Sequence, residues 1–119
     1  MQGYLHDPGA TSRSLRDGWL HTGDIGYLDA AGGLHVLDRR DDLIVSGGEN
    51  VYPAEVEAVL LEHPSVEEAG VTGIADPDLG ARVVAWIVVS PGASLQAEAL
   101  QQHCRKHLAG FKQPRECRF

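Results

Sequence analysis

The chain has 119 residues, a mass of 12.8 kDa and a formal net charge of −7 at pH 7. This length allows one small domain or a piece of a larger protein, and the acidic balance argues against nonspecific binding to nucleic acids or anionic membranes. The longest apolar run, residues 83–89, is too short to cross a bilayer, and the first residues carry no signal-type run. Cys104 and Cys117 form neither a disulfide framework nor a zinc pattern, so we expect a reducing, cytoplasmic compartment.

The first third of the sequence predicts short strands and turns. Apolar residues alternate along residues 25–28 and 34–37, on either side of a glycine-containing loop, which is the pattern of a β-hairpin. Five consecutive charged residues follow at 38–42. A charge cluster between two apolar runs indicates a solvent-exposed connection rather than a core element.

The remainder of the sequence predicts a compact α+β unit. Residues 43–46 are expected to form a short strand that stops at Gly47 and Gly48. Pro53 suits the first turn of the helix that follows, because that position needs no backbone N–H donor.

Two longer strands and a final helix complete this predicted unit. The strands are expected over residues 66–74 and 82–89, and the second is the more apolar, so Trp86 is expected in the core. Ser94 is a plausible N-cap for the last helix. The apolar face of that helix is predicted to contain Ala97, Leu100, Cys104 and Leu108.

Four sequence blocks, in this order, resemble the adenylate-forming superfamily, which includes acyl-CoA synthetases, peptide-synthetase adenylation domains and luciferases. The blocks are residues 18–24 (GWLHTGD), 38–57 (DRRDDLIVSGGENVYPAEVE), 63–66 (HPSV) and 108–114 (LAGFKQP). Within the superfamily, residues 47–53 (GGENVYP) resemble the acyl-CoA ligase branch, with the greatest similarity to bacterial fatty-acid–CoA ligases and o-succinylbenzoate–CoA ligases.

The resemblance implies an α+β fold in which a β-hairpin precedes a small lid domain with a short mixed sheet of about three strands flanked by helices. Residues 1–38 would be the tail of a large N-terminal adenylation body, and residues 39–119 a mobile C-terminal lid truncated before its end. The family's catalytic lysine would lie beyond Phe119. We therefore expect no catalytic residue here and no activity from this chain alone.

The resemblance also implies an ATP-dependent acid–thiol ligase that works in two half-reactions. A carboxylic acid attacks the α-phosphate of ATP to give acyl-AMP and pyrophosphate, and the thiol of coenzyme A then displaces AMP. Implied substrates are ATP with Mg²⁺, coenzyme A and an acid that could be fatty, aryl or o-succinylbenzoate, with fatty acid metabolism as an expected setting.

The resemblance implies that the chain works with the N-terminal domain of its own protein. We expect no nucleic-acid partner and no membrane span, and a homo-oligomer is left open. Two alternatives remain open for the function. The chain could belong to an adenylation domain that loads a carrier protein, or be a non-catalytic binding module with the lid fold.

Two candidate nucleotide-binding residues follow from the resemblance. Asp24 would accept hydrogen bonds from the ribose hydroxyls, and an ionised carboxylate can take two such donors at once. Arg39 would contact ribose or phosphate oxygens through its planar guanidinium. The simpler alternatives are an aspartate that opens a β-turn and a surface arginine paired with Asp38 or Asp42.

Two further candidate roles concern motion and coenzyme A. Asp41 matches the hinge position at which the lid of these enzymes rotates between half-reactions. Gly47 and Gly48 match the loop that lines the pantetheine tunnel, where glycine allows close approach to the backbone. A solvent-exposed loop aspartate and a strand-ending turn are the alternatives.

Other polar residues are not expected to form a site. His103, Cys104 and His107 lie on the last predicted helix, but a metal ion needs more ligands and usually a carboxylate, so no bound metal is expected. Glu55 and Glu57 are interpreted as a solvent-exposed helix face rather than an acid–base pair.

Overall fold

The computed structural model describes residues 1–119 and divides into two compact units, Met1–Asp41 and Asp42–Phe119. The first unit holds one short helix and two small antiparallel pairs of strands. Its elements are α1 (Pro8–Ser14), β1 (Leu15–Arg16), β2 (Trp19–Leu20), β3 (Asp24–Leu28) and β4 (Leu34–Arg39).

The hairpin predicted in the first unit is confirmed, since β3 pairs with β4 in antiparallel register. Asp29 holds the connecting loop, because its Oδ1 accepts hydrogen bonds from the backbone N–H groups of Ala31 and Gly33 at 2.9 and 2.8 Å. Its Oδ2 lies 2.8 Å from Nε2 of His35, whose ring stacks on Tyr27. The loop is therefore fixed by one carboxylate.

The charge cluster at residues 38–42 is more regular than a loop. Strand β4 continues through Arg39, and a 3₁₀ helix then spans Arg40–Asp42. The predicted solvent-exposed connection is confirmed, since residues 39–42 are exposed. It is ordered because the backbone N–H of Arg40 donates to the carbonyl oxygen of Gly23 at 2.7 Å and extends the hairpin.

The second unit is an α+β domain, as the sequence predicted. Its elements are β5 (Ile44–Ser46), β6 (Glu49–Val51), α2 (Pro53–Leu61), β7 (Val66–Asp76), β8 (Gly80–Val89), α3 (Ala97–His107), a 3₁₀ helix (Gly110–Lys112) and β9 (Glu116–Arg118). The three-stranded sheet has the order β7-β8-β9, and β8 is antiparallel to β7 but parallel to β9. The expected short mixed sheet of three strands flanked by helices is confirmed.

One hydrophobic core serves this unit. Helix α2 packs against β7 and α3, and β5 packs against β8. Pro53 begins α2 as predicted, and Val56 and Leu60 lie fully buried one turn apart. The core residues are Ile44, Val51, Val56, Leu60, Val66, Val71, Val83, Ala85, Ile87, Leu100, Cys104 and Leu108.

Two predictions for this unit were wrong. Trp86 is 45% exposed, because its neighbours Ala85 and Ile87 face the core and the strand turns alternate residues to the opposite face. The indole N–H donates to Oγ1 of Thr72 at 3.1 Å on that open face. Ser94 is not the N-cap of α3, since Gln96 precedes the helix without a side-chain cap.

Candidate functional site

Asp24 is held at the start of β3 by its neighbours in the chain. Gly23 has a φ of +83°, which glycine adopts without strain, and the backbone N–H of Asp24 donates to Oγ1 of Thr22 at 3.1 Å. The turn therefore orients the backbone without occupying the carboxylate. Asp24 begins a strand rather than opening a β-turn, and its role in binding ribose stays a prediction.

Arg39 lies directly opposite Asp24 in the register of the hairpin. Its Nε is 3.8 Å from Oδ1 of Asp24, and the two side chains are 73% and 38% exposed. An exposed pair at this separation contributes little to stability. The structure thus brings together the two residues predicted to bind the nucleotide, and leaves both accessible to a ligand.

A cavity of about 630 Å³ is lined by Asp24, within the size range of small-molecule sites. Three arginines and two carboxylates contribute to its wall, so it offers donors for phosphate oxygens and acceptors for hydroxyl groups. Its lining residues are Arg13, Ser14, Arg16, Leu20, His21, Thr22, Gly23, Asp24, Arg40 and Asp41.

The cavity adds other arginines to the one that the sequence suggested, whose role stays a prediction. Arg40 lines it whereas Arg39 does not, and Arg13 and Arg16 are added from α1 and β1. Sequence reasoning missed these last two because they lie outside the family-like blocks. No local signal marks them; only the fold brings them to Asp24.

Asp41 lines the same cavity and is exposed. It is the middle residue of the short 3₁₀ helix, and the first compact unit ends at this residue. A position between two separately packed units is where a change in backbone dihedrals disturbs few contacts. Its role as a hinge stays a prediction.

Gly47 and Gly48 form the two-residue turn between β5 and β6, where Ser46 pairs with Glu49. Their φ angles are +60° and +84°, the pattern of a type I′ hairpin turn. The turn alone therefore explains both glycines. A Cβ at Gly48 would meet nothing within 4 Å, so this side of the turn is open to a ligand.

The carboxylates of α2 are not both solvated, in contrast to the prediction. Oε1 of Glu57 accepts a hydrogen bond from the backbone N–H of Val71 at 2.8 Å and so ties α2 to β7. Glu55 forms an ion pair with Nζ of Lys112 at 2.7 Å. Both residues have structural partners, and neither is placed for acid–base chemistry.

The cysteines are poor nucleophiles at neutral pH. Burial raises the pKa of the Cys104 thiol to about 11, and burial also raises the pKa of the Cys117 thiol. Since the thiolate is the reactive form, little of it is present near pH 7. The structure contains no helix long and apolar enough to span a membrane.

Similarity to known proteins fits this geometry. The family described as the AMP-binding enzyme C-terminal domain matches residues 55–119. The chain belongs to this family. The superfamily resemblance noted in the sequence, and the α+β lid fold expected from it, are thereby confirmed.

Three relatives give the similarity in detail. The 2-succinylbenzoate–CoA ligase of Geobacillus sp. strain WCH70 is 57% identical over 118 residues, which are 99% of this chain and 24% of that protein. The o-succinylbenzoate CoA synthetase of Bacillus subtilis, solved with the acyl-adenylate OSB-AMP, is 48% identical with a TM-score of 0.91, over 99% of this chain and 24% of that one. The amide bond synthetase of Marinactinospora thermotolerans is 45% identical with a TM-score of 0.86, over 100% and 24%. The chain thus spans about a quarter of the length of these relatives.

Proposed function

We propose that these residues form the C-terminal part of an ATP-dependent acid–thiol ligase. The enzyme activates a carboxylic acid as acyl-AMP, releases pyrophosphate, and transfers the acyl group to coenzyme A with release of AMP. The observation that carries the proposal is the 48% identity and TM-score of 0.91 with a synthetase solved with its acyl-adenylate. A B. subtilis structure with ATP and a magnesium ion, also 48% identical, supports MgATP as the nucleotide substrate.

Two segments of the chain take different parts in this proposal. Residues 1–38 are the tail of the nucleotide-holding body, and residues 39–119 are the mobile lid. Asp24 accepts the ribose hydroxyls and Arg39 contacts ribose or phosphate, supported by the exposed pair beside a cavity rich in arginine. Large exposed apolar side chains in the first unit, such as Leu28 and Leu34, fit a segment that the rest of a body covers.

Coenzyme A approaches the β5–β6 turn in the second half-reaction. The open side of Gly48 leaves room for the pantetheine arm, and Gly47 lies next to it. Asp41 is the hinge that lets the lid present this turn after acyl-AMP has formed. Asp41→Pro, which fixes φ near −65°, should slow thioester formation more than acyl-AMP formation.

The acid is 2-succinylbenzoate rather than a fatty acid in this proposal. The support is the name shared by the curated relatives, such as those of Geobacillus sp. and Bacillus licheniformis, which are 57% and 51% identical. Fatty acid metabolism has no comparable support. The two free cysteines favour a reducing compartment, and the cytoplasm is the proposed location.

A second candidate function differs only in the acceptor. The amide bond synthetase is 45% identical to this chain, and such an enzyme would pass the acyl group to an amine rather than to a thiol. The first half-reaction is then unchanged. Coenzyme A and an amine must therefore be compared directly.

A chimera tests the proposal. The aligned 118 residues of the Geobacillus ligase are replaced by this chain, and the product from 2-succinylbenzoate and MgATP is followed with coenzyme A or with an amine. We expect a coenzyme A thioester. Amide formation without thioester would favour the second candidate, and a folded chimera that makes acyl-AMP but no product with either acceptor would contradict both.

Asp24→Ala in the same chimera tests the nucleotide site. A hydrogen bond to a charged group contributes about 1.5–3 kcal/mol, so its loss should lower kcat/KM for ATP by about 10- to 150-fold. Asp78→Ala is the matched control, because Asp78 is an exposed carboxylate in the β7–β8 turn. Equal values of kcat/KM for ATP in the two variants would contradict the proposed role of Asp24 in binding ribose.

A further inference from the structure

Three side chains with metal-binding atoms converge at one end of the second unit. Glu62 directly follows α2, and His103 and His107 lie on the last turns of α3. One ligand atom of each lies within 4.8 Å of the other two. None of the three residues is among those assigned to the nucleotide or to coenzyme A.

The helix brings the two histidines to the same side. Residues four apart share one face, and the two rings have centroids 4.9 Å apart with planes tilted by 43°. Helix α3 packs against α2, so the end of α2 supplies the third group. Cys104 is not part of the cluster, because its side chain is 1% exposed in the core.

One hydrogen bond fixes the ring of His103 and leaves its other nitrogen free. Its Nε2 lies 2.8 Å from the carbonyl oxygen of Val59, which can only accept, so Nε2 carries the proton in the neutral ring. Nδ1 then keeps its lone pair. A histidine that donates one N–H to a backbone carbonyl and offers the other nitrogen is the usual arrangement at protein metal sites.

A neighbouring histidine limits the freedom of this ring further. The ring of His63 meets that of His103 edge to face, with centroids 5.4 Å apart. Nδ1 of His63 in turn accepts a hydrogen bond from the backbone N–H of Ser65 at 3.2 Å. His103 is therefore held on two sides, whereas the exposed Glu62 and His107 can adjust.

We propose that Glu62, His103 and His107 bind one divalent transition-metal cation of the Zn²⁺ type. Two imidazoles and a carboxylate are a zinc donor set, whereas Mg²⁺ and Ca²⁺ prefer oxygen ligands alone. Ligands about 2.1 Å from one ion can be at most about 4.2 Å apart, so the cluster closes by a small rotation of its exposed members. The bound ion ties the end of α2 to α3 and leaves one position for water.

The sequence argument against a metal here was incomplete. It considered His103, Cys104 and His107 alone, and held that a metal ion needs more ligands and usually a carboxylate. In the structure the third group of the cluster is Glu62, at the end of α2, and not Cys104. Two histidines at i, i+4 were the only local signal.

Titration of the 119-residue chain with Zn²⁺ in a calorimeter tests the proposal. We expect one ion per chain, and affinity at least about tenfold weaker in Glu62→Gln and in His107→Gln. Both residues are exposed, so neither change should unfold the protein. Glu98→Gln, an exposed carboxylate of the same helix, and His6→Gln, an exposed histidine of the first unit, should leave the affinity unchanged.

Thermal unfolding gives a second, independent readout. An ion that binds only the folded chain raises its melting temperature, so Zn²⁺ should raise the melting temperature of the unmodified chain and not that of Glu62→Gln. Absence of 1:1 binding, or undiminished affinity in either ligand variant, would overturn the proposal. Weakening by the two control variants to the same degree would overturn it as well.

Discussion

The two units of the chain differ in how far they bury their apolar side chains. In Asp42–Phe119 the side chains of Val51, Val56 and Leu60 have no exposed surface, and they share one core. In Met1–Asp41 no residue is buried, and Trp19 and Leu34 are 74% and 69% exposed. The second unit supplies its own driving force for folding, whereas the first needs another apolar surface to gain one.

This difference matches the chemistry proposed for each unit. The cavity at Asp24 depends on arginines from α1, β1 and the residue after β4, and none of these elements is anchored in a core. The β5–β6 turn, in contrast, is attached to the core through Ile44 and Val51, which are buried. We therefore expect the β5–β6 turn to keep its shape in the isolated chain better than the cavity at Asp24.

Truncation of a core leucine should give the largest effect and the sharpest contrast. Leu100→Ala removes a side chain that is 0% exposed, and we expect it to lower the free energy of unfolding by about 2–5 kcal/mol. Leu34→Ala in the first unit should change it by less than about 0.5 kcal/mol. Urea unfolding followed by circular dichroism measures both, and equal losses would break the comparison.

Alanine at the β5–β6 turn should give an intermediate effect. Gly48→Ala forces a Cβ into a φ of +84°, and we expect a loss of about 1–2 kcal/mol. Gly110 has no positive φ and open space around it, so Gly110→Ala should be neutral or stabilise by about 0.4–1 kcal/mol. If Gly48→Ala were as stable as Gly110→Ala, the positive φ at Gly48 would not be needed for the β5–β6 turn.

Low pH should have the smallest effect on the stability of the fold. In each unit it should act by protonating a different carboxylate. The hydrogen bond from His35 lowers the pKa of Asp29, and the backbone N–H of Leu79 lowers that of Asp76, both below the ordinary value of 3.8. Because the folded pKa is the lower one, the stabilisation is complete above pH 3.8 and is lost as the pH falls through the folded value.

Single-tryptophan variants separate the two acid transitions. Trp19 reports on the first unit and Trp86 on the second, so Trp86→Phe and Trp19→Phe each leave one probe. We expect Asp29→Asn to flatten the acid response at Trp19 and Asp76→Asn to flatten it at Trp86. A response below pH 3.8 that neither substitution alters would assign acid sensitivity to other groups.

Local sequence signals were sufficient for most elements of the second unit. Pro53 indicated the start of α2, and the apolar run of residues 83–89 indicated the central strand β8. Strand β9 was missed, because its parallel pairing with β8 depends on residues distant in the chain. Helix α1 was also missed, although Asp7 before Pro8 is a readable start signal, and Oδ1 of Asp7 caps the helix at 2.7 Å.

Only those residues of the candidate site that belong to a sequence motif could be predicted. The motif residues Asp24 and Arg39 meet across a hairpin that the sequence also predicted. The contributions of Arg13 and Arg16 could not be inferred, since the cavity depends on the path of the chain between α1 and β3. Glu62 likewise joins His103 only through the packing of α2 on α3.

The most direct test separates the two half-reactions in the chimera with the Geobacillus ligase. Gly48→Asn fills the open side of the turn with a residue that tolerates positive φ, and Gly92→Asn is the control, with a φ of +78° and equally open space in the β8–α3 loop. We predict that Gly48→Asn slows thioester formation by about 10²-fold while acyl-AMP formation and the control stay normal. Normal thioester formation in Gly48→Asn would contradict the account.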